Sequence, residues 1–140
     1  MRQSNIIVTG LKQNDTIEHI LEIMRVDMNI KVVPEDLLAV IPLSNKEKER
    51  YGLKLCFGSL ILRNTVFKAK TKLRGHSLWI NEDLTPRRNT LAKQARQRVD
   101  NKDLNKTWTA GGRVIVKKKD AKPVEVRSEE ELDEVCKGRI

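Results

Sequence analysis

Thirty-four consecutive residues, Pro86 to Lys119, hold eleven Lys and Arg against two acids, Asp100 and Asp103, a surplus equal to the +9 formal charge of the whole chain. Outside this stretch the chain balances, with seventeen basic and seventeen acidic residues. So much charge in one stretch leaves few positions to face a core. The helix-patterned part of the stretch accordingly carries a narrow apolar stripe of Leu91, Ala92, Ala95 and Val99, whose small residues let the backbone approach a neighbour closely. A surplus confined to one segment makes a local positive field, and polyanions are the usual partner of such a field.

The preceding residues alternate between strand and helix patterns. Asn5 to Leu11 is β-branched and ends at Gly10. Asn14 or Asp15 can then cap a helix bearing Ile17, Ile20, Leu21, Met24 and Met28 at helical spacing. Leu37 to Ile41 reads as a short strand stopped by Pro42, with a polar loop from Ser44 to Arg50. Leu53, Leu55 and Phe57 alternate with Lys54 and Cys56, which places the three large apolar side chains on one face of a strand. A helix starting at Gly58-Ser59 carries Leu62, Val66, Ala69 and Leu73 and ends at Gly75, and Leu78 to Ile80 supplies a fourth strand. Strand-helix-strand-strand-helix-strand is the split pattern of a ferredoxin-like sheet.

A second unit begins at Thr85-Pro86, a cap followed by proline at the first helical position. Its helix runs to about Val99. Gly111-Gly112 between Thr107 and Lys118 signals a hairpin, Val124 to Arg127 adds a strand, and Ser128 with Glu131 forms a capping box that opens a last helix with Leu132 and Val135. The expected class is α+β. A βαββαβ lobe over 1–84 precedes a basic helix-hairpin-strand-helix lobe over 85–140.

Four blocks, Asn-Ile-Ile-Val-Thr-Gly-Leu at 5–11, Leu-Lys-Leu-Cys-Phe at 53–57, Trp-Ile-Asn-Glu-Asp-Leu-Thr-Pro at 79–86 and Gly-Gly-Arg-Val-Ile-Val-Lys at 111–117, resemble the first-open-reading-frame proteins of LINE-type retrotransposons. The related baculovirus few-polyhedra protein is similar. The resemblance runs in order over residues 4 to 135, with the segment at 79–86 the most specific. It implies an RNA-recognition-motif lobe followed by a small C-terminal lobe, binding of single-stranded RNA and DNA, and nucleic-acid chaperone activity. That family forms trimers through an upstream coiled coil with no counterpart in this chain, so a homo-oligomer would need a segment absent from it.

RNA-recognition motifs stack bases on aromatic residues of their central strands. The outward positions here are Ile7, Gly52 and Lys54, so sequence-specific readout by the sheet is not expected. The cations take its place: Arg87, Arg88, Lys93 and Arg96 on the helix after the fourth strand, Arg113 and Lys117 on one face of a hairpin strand, and Lys117, Lys118 and Lys119 together for steering. A groove between the lobes could collect both sets, with Lys54 on the sheet. The arginines are expected to carry affinity, because their planar fork fits phosphate and stacks on bases. Trp108 is a candidate for stacking or for packing. Trp79 faces the open side of the first sheet or packs against the second lobe.

Other patterns exclude more than they suggest. Glu82-Asp83 lacks a third acidic ligand for a metal-dependent nuclease and reads better as helix-start electrostatics or capping before Thr85-Pro86. His19 and His76 have no partner at catalytic spacing, so no catalytic residue, metal or cofactor is expected. Cys56 and Cys136 read as unpaired thiols. No apolar run approaches the ~18 residues of a membrane span, and the N-terminus lacks a signal peptide's pattern, which leads us to expect an intracellular ribonucleoprotein. The alternative is a protein-interaction module that uses the aromatic-poor sheet.

Overall fold

The computed structural model describes residues 2–12, 15–45 and 50–138, which form an α+β protein of two compact units, Met1–Asp83 and Leu84–Ile140. The first contains β1 (Asn5–Leu11), α1 (Ile17–Asp27), β2 (Leu37–Asn45), β3 (Arg50–Phe57), α2 (Leu60–Lys68) and β4 (Trp79–Glu82). Its four strands pair antiparallel in the order β2-β3-β1-β4. Alternation on β1 sends Ile6 and Val8 into a core with Leu55, Phe57 and Ile80, and α1 covers it with Ile20, Leu21, Ile23 and Met24. Thr16, rather than Asn14 or Asp15, caps α1 by accepting the His19 N–H. Asp15 instead accepts the Lys12 N–H at 2.7 Å; Asn14 lies outside the described residues.

Three further boundaries differ from the sequence reading. β2 continues through Pro42, which lies opposite Leu53. β2 is an edge strand, where a residue without an N–H leaves no central ladder broken. The regular helix α2 stops at Lys68 and tightens into a 3-10 turn over Ala69–Leu73, which still buries Leu73. β4 begins and ends later than the apolar pattern of Leu78 to Ile80 suggests. It carries Glu82 into the interior of the unit.

That carboxylate meets the least expected core residue, Arg63, which is 5% exposed on the inner face of α2. Its Nη2 lies 3.6 Å from Glu82, its Nε donates to the Asn5 carbonyl at 3.0 Å, and its guanidinium covers the Phe67 ring. Helix α2 is thereby tied to β1 and β4 at once. Lys70 lies over the same ring, 3.9 Å from its centroid, and burial pushes its ammonium below the usual lysine range. Asp83 is held by Lys54 at 3.4 Å and by the Asn5 amide at 2.9 Å. Both carboxylates therefore sit in internal ion pairs, which corrects their reading as helix-start electrostatics or capping.

At the bulge in β1, Gly10 adopts φ +82°, and a Cβ there would lie 2.1 Å from the Ser77 carbonyl oxygen. Only glycine lets β1 bend beside that loop.

The second unit contains α3 (Pro86–Asp100), β5 (Lys106–Ala110), β6 (Arg113–Lys117), β7 (Val124–Val126) and α4 (Glu129–Cys136). Its sheet is antiparallel in the order β5-β6-β7. Thr85 caps α3 by accepting the Arg88 N–H. Gly111 and Gly112, both at positive φ, close a two-residue hairpin between Ala110 and Arg113. Ser128 accepts the Glu131 N–H, and the Glu131 carboxylate accepts the Arg127 N–H. The core is Leu91, Ala92 and Ala95 of α3 against Val114, Val116, Val126, Leu132 and Val135, with Leu84 packed at its border.

Two substitutions test this architecture. Arg63→Met takes the guanidinium away from the buried Glu82 carboxylate and the Asn5 carbonyl and is expected to cost ~3–5 kcal/mol in urea unfolding. Gly10→Ala should cost ~2 kcal/mol or more through backbone strain and clash. An unchanged urea midpoint in either variant would contradict the packing described.

Candidate nucleic-acid interface

The small core of the second unit decides where its cations go. With Leu91, Ala92 and Ala95 turned inward, α3 carries its arginines and lysine around the rest of its circumference. Arg88, Arg87 and Arg98 do different things there. The Arg88 guanidinium reaches across to donate to the Gly112 carbonyl at the hairpin turn. Arg98 is spent on structure, bridging Asp103 at 3.2 Å and Asp133 on α4; its hydrogen bond with Asp103 holds its pKa above the usual guanidinium value. Arg87 makes no ion pair among the described residues.

At the first turn of α3 a hollow of about 250 Å³ is lined by Arg87 and Arg88, by Arg113 at the start of β6 and by Arg127 just after β7. Glu125 lies between two of these, 3.7 Å from Arg113 and 3.3 Å from Arg127. Three of the four guanidiniums thus have a partner in the unit, each with N–H donors to spare. At the other end of α3 a second hollow, about 450 Å³, is bordered by Lys102, Lys118 and Lys119. Lys118 is half-buried there and lies 3.5 Å from the Cys136 carbonyl. Burial pushes the Cys136 thiol above its usual range.

The outer face of the sheet completes the surface. Strand alternation places Lys106, Trp108 and Ala110 of β5 opposite Lys117, Ile115 and Arg113 of β6. Trp108 stands over Ile115 with 37% of its surface exposed. Lys106 and Lys117 are directly opposed, an arrangement of like charges that destabilises a sheet and that a bound anion would relieve.

The sequence candidates therefore separate. Arg87, Arg88 and Arg113 converge on one hollow, Lys118 and Lys119 border the other, and Lys117 and Trp108 share the open face of the sheet. Lys93 and Arg96 are exposed on α3 but line neither hollow. Lys54 belongs to the first unit and is committed to Asp83, with a side chain only 23% exposed, which removes it from the cationic set. Arg127 was not among the candidates, because one arginine beside a Glu-rich helix start has no distinguishing pattern; its alternation with Glu125 in the strand pattern of Val124 to Arg127 was the available signal. Trp79 is 67% exposed on the open face of the first sheet, opposite Thr9.

Comparison with protein-family models finds no match, and comparison with curated proteins finds none. No group of three or more His, Cys, Asp or Glu among the described residues could hold a metal ion, and no described helix is long and apolar enough to cross a membrane.

The two tryptophans differ enough to be read separately. Trp79→Phe, which leaves Trp108, should give bluer emission and weaker acrylamide quenching than Trp108→Phe, which leaves the more exposed Trp79. Identical emission from the two variants would contradict the placement of Trp108.

Proposed function

We propose that the chain is a non-enzymatic, single-stranded nucleic-acid-binding protein with weak sequence selectivity, in which the second unit supplies most of the affinity. The observation that carries this reading is the convergence of Arg87, Arg88, Arg113 and Arg127 on one hollow against a single acid, Glu125. Across the second unit, Arg87, Lys93, Arg96, Lys102, Lys106, Lys117 and Lys119 have no acidic partner among the described residues. Phosphate-dense single strands match such a surface, and a half-exposed Trp108 beside Lys106 and Lys117 provides a stacking step.

The first unit is, in this reading, a ferredoxin-like RNA-recognition-motif lobe. Its order of elements and its β2-β3-β1-β4 sheet support that assignment. On the two central strands its open face offers Ile7, Gly52 and Lys54 rather than rings, so those strands contribute little base readout. With the resemblance of the blocks at 5–11, 53–57, 79–86 and 111–117, this supports a packaging or chaperone role in a ribonucleoprotein of retroelement or viral origin. The competing reading is a protein-interaction module. It is favoured by the exposure of Ile41, Leu43 and Trp79 on the same open face, at 43%, 37% and 67%.

Fluorescence anisotropy with labelled single-stranded RNA, single-stranded DNA and duplex at several salt concentrations tests the proposal. Both single strands should bind more tightly than duplex, with log affinity falling against log salt by ~0.7 per phosphate neutralised. Changing Lys102, Lys106, Lys117 and Lys119 to Gln should lower affinity for all sequences alike and flatten that slope. Trp108→Ala should weaken single-strand binding by ~1–3 kcal/mol. Partners that survive nuclease and high salt while labelled strands fail to bind would favour the interaction module.

A further inference from the structure

We propose that the arginine-lined hollow at the first turn of α3 captures the terminal phosphate monoester of a single strand, so that the protein prefers phosphorylated ends. This rests on the nucleic-acid reading and refines it. The hollow is closed below by Leu91, Val114 and Val126, all buried core side chains. A group entering from solvent meets that floor and stops, whereas an internal phosphodiester must leave again with a sugar on either side.

Size and charge agree with an end group. At about 250 Å³ the hollow falls below the ~300–1,000 Å³ of pockets that enclose whole small molecules. Four guanidiniums and one carboxylate leave it a formal surplus of three positive charges. An internal phosphodiester brings one negative charge. A terminal monoester brings ~1.5–2 at neutral pH and three acceptor oxygens without a sugar attached, and those oxygens can meet several arginine forks together.

The hollow also gathers its donors before any ligand arrives: Arg88 donates to the Gly112 carbonyl, and Arg113 and Arg127 both lie beside Glu125. Glu125 also disfavours weakly charged occupants. A group must offer more negative charge than a diester to gain clearly from displacing or sharing the Glu125 contacts.

The full chain is tested by anisotropy on three internally labelled single strands of identical sequence, about ten nucleotides long to match the ~4–16 occupied per single-strand-binding fold. One carries a 5′-phosphate, one a 3′-phosphate and one neither. At least one phosphorylated end is expected to bind roughly tenfold tighter than the unphosphorylated strand, a difference of ~1.4 kcal/mol. That ratio should fall toward one in Arg127→Gln and in Arg87→Gln, the latter breaking no ion pair among the described residues. It should also shrink as pH drops through the second phosphate pKa near ~6. Inorganic phosphate should lower the affinity of the phosphorylated strand far more than that of the unphosphorylated one, which separates capture of the end from general screening. Equal binding of all three strands overturns the proposal, as does an advantage that survives both substitutions. Failure of all three to bind overturns the nucleic-acid reading instead.

Discussion

The second unit depends on the contact of Leu91, Ala92 and Ala95 with Val114, Val116 and Val126. A helix with Arg87, Arg88, Lys93, Arg96 and Arg98 has low apolar content, so it is held to its sheet by a stripe one or two side chains wide. Ala95 is fully buried; its small side chain brings the α3 backbone close to the strands and sets the height at which the long cationic side chains emerge. Close approach lets Arg88 reach the Gly112 carbonyl and brings the first turn of α3 near Arg113. A larger residue at Ala95 would lift the helix and separate those arginines before it disturbed any one of them.

The two units treat charge in opposite ways. In the first, the buried carboxylates Glu82 and Asp83 each have a cation, Arg63 and Lys54, and these contacts knit β1, β3, β4 and α2. A buried pair of this kind contributes little net stability compared with an apolar substitute, but removing one partner is costly. In the second, Lys106 faces Lys117, and four arginines share one hollow with one acid. Surface repulsion of this kind is tolerated when core packing holds the elements in place, and it leaves positive potential available to a ligand.

Features set by a few neighbouring residues were legible in the sequence: the Thr85-Pro86 start of α3, the Gly111-Gly112 hairpin and the Ser128 cap all follow local rules. Apolar periodicity likewise placed α1 and the inward stripe of α3. What stayed hidden depends on sequence-distant neighbours. Pro42 stops a central strand but not an edge one, and edge position is a property of the finished sheet. Arg63 occupies a helical position that reads as surface until Glu82, nineteen residues away, is brought beneath it. Lys54 looked free for the same reason, since Asp83 reaches it only when β4 has joined the unit. Arg127 joins the candidate site because β7 pairs with β6 and so brings its end to the hollow that the first turn of α3 lines.

Glu125 shows why charge counting alone reads such a surface incompletely. Subtracting it from the surrounding cations makes it a loss of affinity, yet it contacts both Arg113 and Arg127 and keeps their guanidiniums near one another despite their repulsion. One carboxylate between two arginines lowers the energy of the empty hollow. The ligand must then compete with it, which weakens every anion but weakens a singly charged one in larger proportion. Selectivity among anions by charge state therefore arises from the single acid as much as from the four arginines, and a surface of cations alone would hold any phosphate along a strand.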